Sequence, residues 1–326
     1  MRIEFLMAGS PNDAFYSQVA MFRLALDALG DRYRNARLVL CLTSSDGPSP
    51  MPKRWLPWFA RIEVRWADSS HAARLSHGQD LFGMVDAGAD LSIICDADSM
   101  LLQPLPDEFL QDMETDPALC GVVGHRPPRM FNFDDFPPPA NAMEMWQQMG
   151  AALGRPIALV YPYTLTPNDG FAPSFYINHG FLAGPPDLIR RLGVLQAAVR
   201  PALESVLINE FEDQIAVALA VEAGRLPHRR LPVRFNFPNN AVADSLYPDE
   251  MGNIVVLHYQ FRKAFNRHII FTTEQAFGDF MALPLYGSNA VFQAAVRRLT
   301  NGIYPFGTDC AAEQGLFTVA PGAKHP

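Results

Sequence analysis

Strand-like and helix-like stretches alternate along the first third of the chain, and this alternation restricts the folds open to it. The apolar segments RIEFLMA (2–8), ARLVLCLTS (36–44) and DLSIICDAD (90–98) have the composition of buried strands. Between the first two, AFYSQVAMFRLALDALG (14–30) carries apolar residues at helical spacing and ends in glycine. Almost wholly apolar strands that alternate with helices indicate a mainly parallel sheet covered on both faces. We therefore predict an α/β fold.

The rest of the chain extends this pattern. Further elements are predicted, in chain order, as strands at 60–67 and 118–125, a weaker helix at 72–88, helices at 186–199 and 209–224, a strand at 252–260 and a short helix at 289–299. We expect the C-terminal part to add an antiparallel element to the sheet. Two segments rich in proline and aromatic residues, 126–140 and 161–175, show no usable period and predict either stiff connections or binding loops.

Composition and charge exclude several classes of protein. Hydrophobic residues make up 49% of the chain and charged residues 18%, as in a globular protein with a sizeable core. The net charge of −8 argues against a general nucleic-acid binder, because phosphate binding needs clustered Lys and Arg. No apolar run reaches the ~18 residues of a membrane span, and no signal peptide is evident. We predict a cytoplasmic protein with reduced cysteines, no transmembrane segment and no nucleic-acid partner.

Two aspartates, Asp96 and Asp98, end the buried run SIICDADSM. Because an unpaired buried carboxylate is costly, a cationic partner is expected. Three interpretations are open: a turn capped by the aspartates themselves, a phosphatase-type aspartyl nucleophile, and a pair of ligands for one divalent cation. Phosphatases usually have Thr or Val two residues after the second aspartate, where this chain has Met100. Open α/β sheets bind ligands beyond the carboxyl ends of their strands, where the loop 9–13 would also lie.

Six segments occur in the order found in one group of enzymes. They are FLMAGSPNDAFY at the first strand, AARL (72–75), SIICDADSMLLQPL around the D-x-D pair, FYINHGFLAG (175–184), FEDQIAVAL and VVLHYQFRKAF. Over roughly residues 2 to 265, the chain resembles GT-A fold glycosyltransferases, and among them the glycogenin-like and lipopolysaccharide-galactosyltransferase-like retaining family. The resemblance implies a metal-dependent hexosyltransferase that uses a nucleotide-sugar donor, with a UDP-sugar first, and retains configuration.

The resemblance also implies a role for each matching residue. A divalent metal, Mn(II) or Mg(II), would be bound by Asp96, Asp98 and His258. Residues expected to bind the donor are Ala8, Gly9, Ser10, Arg74, Asn178 and Gly180. Residues expected to act in catalysis are Asp213 on the sugar hydroxyls, Gln214 beneath the anomeric carbon and Lys263 on the diphosphate.

This chain departs from the family pattern at two places. His179 stands where the family has alanine, which predicts a narrower or more polar sugar pocket. The closing segment carries Gln260 in place of glycine and Ala264-Phe265 in place of Pro-Trp. The acceptor is left open among carbohydrate, lipid-linked, peptide and small-molecule classes, and we expect it against the loops 126–140 and 161–175.

The resemblance suggests a division of the chain, and two rival functions stay open. We predict one catalytic domain over 1–285, with a nucleotide-binding half (1–125) and a half that completes the acceptor and metal site (126–285). A helix and a mobile tail would follow over 286–326. The rivals are a metal-dependent phosphohydrolase or nucleotidyltransferase that uses the aspartate pair, and an inactive nucleotide- or glycan-binding protein of the same fold.

Overall fold

The computed structural model describes residues 1–67, 78–128, 141–204 and 211–307. The strands are Ile3–Gly9 (β1), Arg37–Leu42 (β2), Glu63–Trp66 (β3), Leu91–Ile94 (β4), Ser99–Leu101 (β5), Leu119–Val123 (β6), Leu159–Pro162 (β7), Phe171–Pro173 (β8), Ile177–Gly184 (β9), His228–Arg230 (β10), Phe237–Pro238 (β11) and Val256–His258 (β12). The helices are Asp13–Ala28 (α1), Asp31–Arg34 (α2), Gly78–Gly83 (α3), Asp107–Thr115 (α4), Ala142–Ala152 (α5), Pro186–Glu204 (α6), Glu212–Gly224 (α7), Ala241–Leu246 (α8), Pro248–Met251 (α9), Glu274–Ala282 (α10) and Gly287–Thr300 (α11).

Seven of the described strands form a central sheet in the order β10-β6-β9-β4-β1-β2-β3. Strand β1 runs parallel to β2 and β4, β2 runs parallel to β3, and β6 runs parallel to β10. Strand β9 runs antiparallel to both of its neighbours, β4 and β6. The predicted α/β fold with a mainly parallel sheet is therefore confirmed.

The two faces of this sheet pack against different helices. Along β1, Phe5 and Met7 belong to the hydrophobic core that includes α1, whereas Leu6 belongs to the core that includes α6 and α7. Successive side chains of a strand point to opposite faces, so a strand buried on both faces is mostly apolar, and the one buried charge of β1, Glu4, is paired with Arg37. This burial explains why β1 and β2 read as almost continuous apolar runs. Helix α1 begins where the side chain of Asn12 accepts a hydrogen bond from the backbone N–H of Phe15.

A second, small sheet joins the end of the D-x-D segment to the C-terminal part of the chain. Its strands lie in the order β11-β12-β5, and β12 runs antiparallel to β5 with His258 opposite Ser99. The backbone N–H of Tyr259 donates to the carbonyl of Asp98 at 2.9 Å. This sheet is the antiparallel C-terminal addition that the sequence predicts.

Several elements differ from the sequence prediction. The predicted strand 90–98 stops at Ile94, and the chain turns through Asp96 and Asp98 before it continues as β5 in the other sheet. Part of the segment 161–175, for which no period was found, forms the antiparallel pair β7 and β8. Helices α4, α5 and α10 are additional to the prediction.

Several sequence predictions lie partly outside the described residues. The first part of the predicted helix 72–88, most of the loop 126–140 and the tail 308–326 are not described. Cys41, Cys95 and Cys120 are buried free thiols, and Cys310 falls in that tail. Among the described helices, none is long and apolar enough to cross a membrane. The division into 1–285 and 286–326 stays a prediction.

Helix α11 packs against the main core through a cluster of aromatic rings. Phe292 is fully buried and stacks on Tyr259, with ring centroids 4.4 Å apart, and on Phe265 at 5.5 Å. Phe280 of α10 contacts the same ring at 5.6 Å. The cluster therefore holds the segment that follows β12 against helices α10 and α11.

Replacing Phe292 with alanine should lower the free energy of unfolding by about 3–5 kcal/mol, because it removes a fully buried ring and leaves a cavity. Denaturant unfolding followed by circular dichroism measures the loss. Phe171→Ala is the matched control, since its ring is 52% exposed, and it should cost about 0.5 kcal/mol. Equal losses for the two variants would contradict the packing described here.

A candidate metal site at the carboxyl edge of the sheet

The aspartate pair and a distant histidine meet where β4 ends. The chain turns from β4 into β5 through Asp96 and Asp98, and the pairing of β5 with β12 places His258 beside them. His258 Nε2 lies 3.2 Å from Oδ1 of Asp98 and 3.4 Å from Oδ2 of Asp96. One ligand atom of each residue lies within 4.8 Å of the others, so the three residues can hold a metal ion.

The three side chains differ in burial: two are almost completely buried and one is partly exposed to solvent. The side chains of Asp98 and His258 are 9% and 2% exposed, whereas that of Asp96 is 45% exposed. A ligand from solvent would therefore reach the group from the Asp96 side.

Asn178 on β9 fixes which nitrogen of His258 carries the proton. Its Oδ1 lies 3.0 Å from Nδ1 of His258 and accepts hydrogen bonds from the backbone N–H of Gly180 and from Nδ2 of Asn236. Since the backbone N–H can only donate, the Asn178 atom must be the amide oxygen, and Nδ1 of His258 must donate to it. The lone pair of Nε2 then points at the two carboxylates.

Burial lowers the pKa of His258, and the charge of Asp96 only partly offsets this effect. The imidazole is therefore neutral at neutral pH. Its Nε2 lone pair and two carboxylate oxygens converge on one point, and a cation among these three atoms would relieve their mutual repulsion, since the guanidinium of Arg267 pairs with the other oxygen of Asp98. Two carboxylates and an imidazole held from behind by an amide suit a divalent metal, and the imidazole favours Mn(II) over Mg(II).

Arg267 also contacts this group, and the sequence analysis missed it. Its guanidinium forms an ion pair with Oδ2 of Asp98, and its backbone carbonyl accepts a hydrogen bond from Nε2 of Gln18 on α1 at 3.0 Å. Arg267 lies in the irregular segment after β12, where no periodicity marks a side chain that points inward. No local sequence signal distinguishes it from the neighbouring Arg262.

A first cavity of about 80 Å³ lies beside Asp96 and gathers residues that were predicted to bind the donor. Ala8 at the end of β1, His179 on β9 and Asp213 on α7 line it together with Asp96. Nε2 of His179 is buried and has no hydrogen-bond partner in the described part of the chain. Asp213 Oδ1 accepts a hydrogen bond from Arg200 at 2.6 Å, which fixes the orientation of the carboxylate.

A second cavity of about 180 Å³ is lined by Asn178, the residue that holds the ring of His258. Gln214 also lines it, although it directly follows Asp213 in the first turn of α7. His125 and Gln260 complete one wall, with the ring Nδ1 of His125 2.6 Å from Nε2 of Gln260. The structure therefore assigns consecutive residues of α7 to different cavities.

The remaining predicted residues take varied positions. A side chain at Gly180 would collide with Asn236 and with the ring of His258, and one at Gly9 would contact the ring of Phe15. Ser10 is half-buried in the loop before α1. Among the residues that the structure describes, Lys263 pairs with no carboxylate, and its side chain is exposed. Arg74 lies outside the described residues.

Comparisons with known proteins give similarity at the level of structure. No protein-family model matches this chain, and no curated protein sequence matches it. A solved structure of apo WbbM, a bifunctional glycosyltransferase, is 13% identical, with 91% of this chain and 51% of that chain covered and a TM-score of 0.48. This chain thus spans about half the length of that protein.

Two further similar structures are matched over almost their whole length. The galactosyltransferase LgtC in complex with donor and acceptor sugar analogues is 14% identical, with 89% of this chain and 99% of that chain covered and a TM-score of 0.45. Mouse xyloside xylosyltransferase 1 in apo form is 10% identical, with 82% and 100% covered and a TM-score of 0.48. All three similar structures are of glycosyltransferases.

Replacing Asn178 with alanine should weaken Mn(II) binding about 10- to 100-fold, because His258 loses the partner that sets its tautomer and ring orientation. Titration of Mn(II) followed by electron paramagnetic resonance measures this affinity. Asn239→Ala is the matched control. Asn239 is equally buried and makes hydrogen bonds to Phe261 and Asn289, but its amide does not contact the imidazole. If both variants bind Mn(II) like the unmodified protein, Asn178 does not support a metal ligand.

Proposed function

We propose that this chain is a metal-dependent glycosyltransferase that moves a sugar from a UDP-sugar to an acceptor. The observation that carries the proposal is the convergence of Asp96, Asp98 and the unprotonated Nε2 of His258 at the carboxyl edge of the sheet. When bound there, Mn(II) or Mg(II) would neutralise the negative charge of a departing nucleoside diphosphate. UDP is the nucleotide that the sequence resemblance implies for the donor.

The donor would enter from the exposed side of Asp96. Ala8 and Gly9 end β1 and Ser10 follows it; β1 lies next to β4 in the sheet, and Ala8 shares the first cavity with Asp96. Open α/β sheets bind nucleotides at this edge, because loops after adjacent parallel strands converge there. Backbone groups of Gly9 and Ser10 are therefore suited to the nucleotide, while Asp96 faces its phosphates.

The sugar of the donor would occupy the first cavity. Sugar hydroxyls both donate and accept hydrogen bonds, and this cavity offers the carboxylate of Asp213 and the unpartnered Nε2 of His179. Because Arg200 already holds Oδ1 of Asp213, the second oxygen of that carboxylate is oriented to accept from a hydroxyl. His179 takes the space that alanine leaves open in the resembled family, so it selects the sugar by shape and by polarity.

The acceptor would occupy the second cavity. Arg126 and Pro127, at the start of the loop predicted to face the acceptor, line it together with His125 and Gln260. Burial lowers the pKa of His125 to about 3, so its ring is neutral and serves as a hydrogen-bonding group for a polar acceptor. A hydroxyl-bearing acceptor fits this lining.

The reaction would take place between the two cavities. Cleavage of the bond between sugar and diphosphate develops positive charge on the sugar and negative charge on the leaving group. The carboxylate of Asp213 lines the sugar cavity and would stabilise the positive charge, while Gln214, which lines the acceptor cavity, would approach the reacting carbon from that side. Transfer with retention of configuration is what the sequence resemblance implies for a Gln at this position.

Calorimetric titration of UDP, GDP and CDP tests the proposal, with Mn(II) and with EDTA. We expect UDP to bind with Mn(II) and to lose at least about tenfold in affinity with EDTA, because a metal held by Asp96, Asp98 and His258 would supply positive charge to the diphosphate. Asp98→Asn should abolish the metal dependence while the circular dichroism spectrum is unchanged. Asp116→Asn, which alters an exposed carboxylate paired with Arg229, should bind like the unmodified protein. Absence of metal-dependent binding to any of the three nucleotides would refute the assignment.

A second test separates transfer from the rival activities. Gln214→Ala should slow UDP release from UDP-hexoses by about 10- to 1,000-fold, because an oriented dipole next to the developing charge is lost. Its affinity for UDP should change less than about twofold, since Gln214 lines the other cavity. Gln275→Ala, on the exposed face of α10, is the control. Release of inorganic phosphate would instead identify a phosphohydrolase, and binding without turnover an inactive binding protein.

A further inference from the structure

Arg267 places a positive charge inside the group of metal ligands. Its guanidinium pairs with Oδ2 of Asp98, while Oδ1 of the same carboxylate faces His258. The side chain of Arg267 is 22% exposed, so it is accessible from the open side of the group. One carboxylate is therefore shared between a fixed cation and the point at which a metal would bind.

Contacts of both the backbone and the side chain hold Arg267 in place. The backbone carbonyl of Arg267 accepts a hydrogen bond from Gln18, which is itself buried on α1. Its Nε donates to Nε2 of His268 at 3.3 Å. Phe265 and Phe271, on either side of Arg267, are buried in the aromatic cluster around Phe292. These contacts keep the charge next to Asp98.

The guanidinium keeps donors free for a ligand. Nη1 binds Asp98 and Nε faces His268, and within the described residues Nη2 has no hydrogen-bond partner. A guanidinium can hold two oxyanions at once because its five N–H groups lie in one plane and point in different directions. A carboxylate on one edge and a phosphate on another satisfies that geometry.

Charge in the group changes sign when a metal binds. Asp96 and Asp98 carry two negative charges, Arg267 carries one positive charge and His258 is neutral, so the metal-free group is negative overall. A divalent ion makes it positive overall, with two cations next to one shared carboxylate. Repulsion between these cations weakens metal binding until an anion arrives that contacts both.

We propose that Arg267 is a second cation of the diphosphate site and that it makes tight metal binding conditional on the diphosphate. This inference rests on the proposed function, because it assigns a further ligand to the same site. Lys263, which the sequence resemblance placed on the diphosphate, is exposed and makes no ion pair with the described residues, whereas Arg267 touches a metal ligand. Arg267 thus takes the role that the resemblance gives to Lys263.

The experiment measures how Mn(II) and UDP strengthen each other's binding. Mn(II) affinity is determined by electron paramagnetic resonance with and without saturating UDP, and UDP affinity by calorimetry with and without saturating Mn(II). In the unmodified protein we expect a coupling within the range of about 5- to 150-fold. Arg267→Gln should bind Mn(II) alone about tenfold more tightly and UDP in the presence of Mn(II) about tenfold more weakly, so the coupling falls.

Two control variants separate this effect from a general loss of charge. Arg262→Gln removes a positive charge from the same segment without contacting the ligands, and it should leave both affinities within about twofold. Lys263→Gln tests the residue that the resemblance places on the diphosphate, and it should bind UDP in the presence of Mn(II) more tightly than Arg267→Gln does. Arg267→Lys keeps the charge but not the planar fork, and it should restore the weak binding of Mn(II) alone but only part of the affinity for UDP.

The outcomes distinguish this inference from the proposed function. If the unmodified protein binds neither Mn(II) nor UDP, the proposed function fails. If it binds both with coupling, but Arg267→Gln leaves Mn(II) affinity unchanged or weaker, the role of Arg267 fails and the proposed function stands. If Lys263→Gln loses affinity for UDP and Arg267→Gln does not, then Lys263 and not Arg267 binds the diphosphate.

Discussion

The short antiparallel pairing of β5 with β12 is the constraint on which the candidate site depends. It joins residues 160 positions apart in the chain, because it places His258 against Asp98. The chain must leave the central sheet after Ile94 for this pairing to form, since β5 belongs to the other sheet. The two aspartates stand in the turn between the sheets, where their side chains can converge on His258.

Hydrogen bonds on the β9 side of His258 orient the ring that this pairing places beside Asp98. Gly180 lacks a side chain, and only for that reason can the ring of His258 and the amide of Asn236 lie against the backbone of β9. Asn178 then orients both of them through one oxygen atom. The unusual N-H-G run on β9 therefore supports the metal ligands from one face and presents His179 to a cavity from the other, because neighbouring side chains of a strand alternate.

Sequence alone predicted the features that depend on local pattern. The apolar runs of β1 and β2 and the helix between them follow from composition and periodicity, and the polar end of the run before Asp96 and Asp98 marks where β4 stops. The pair β7 and β8 was missed because its residues are mostly partly buried or exposed, so no alternation of polar and apolar residues marks it. The contact of Arg267 with Asp98 depends on where β12 lies, and no local pattern contains that information. The resemblance assigned Asn178 to the donor sugar, but its oxygen is already engaged by His258, and that assignment stays a prediction.

Two pairs of consecutive residues divide their side chains between the two cavities. Asn178 and Gln214 face one cavity, while their neighbours His179 and Asp213 face the other. Each pair lies on a single element, one on strand β9 and one in the first turn of α7. A substitution at one member of a pair therefore changes the lining of one cavity and leaves the residues of the other lining in place. An insertion of one residue in either element would instead change what that element contributes to both cavities.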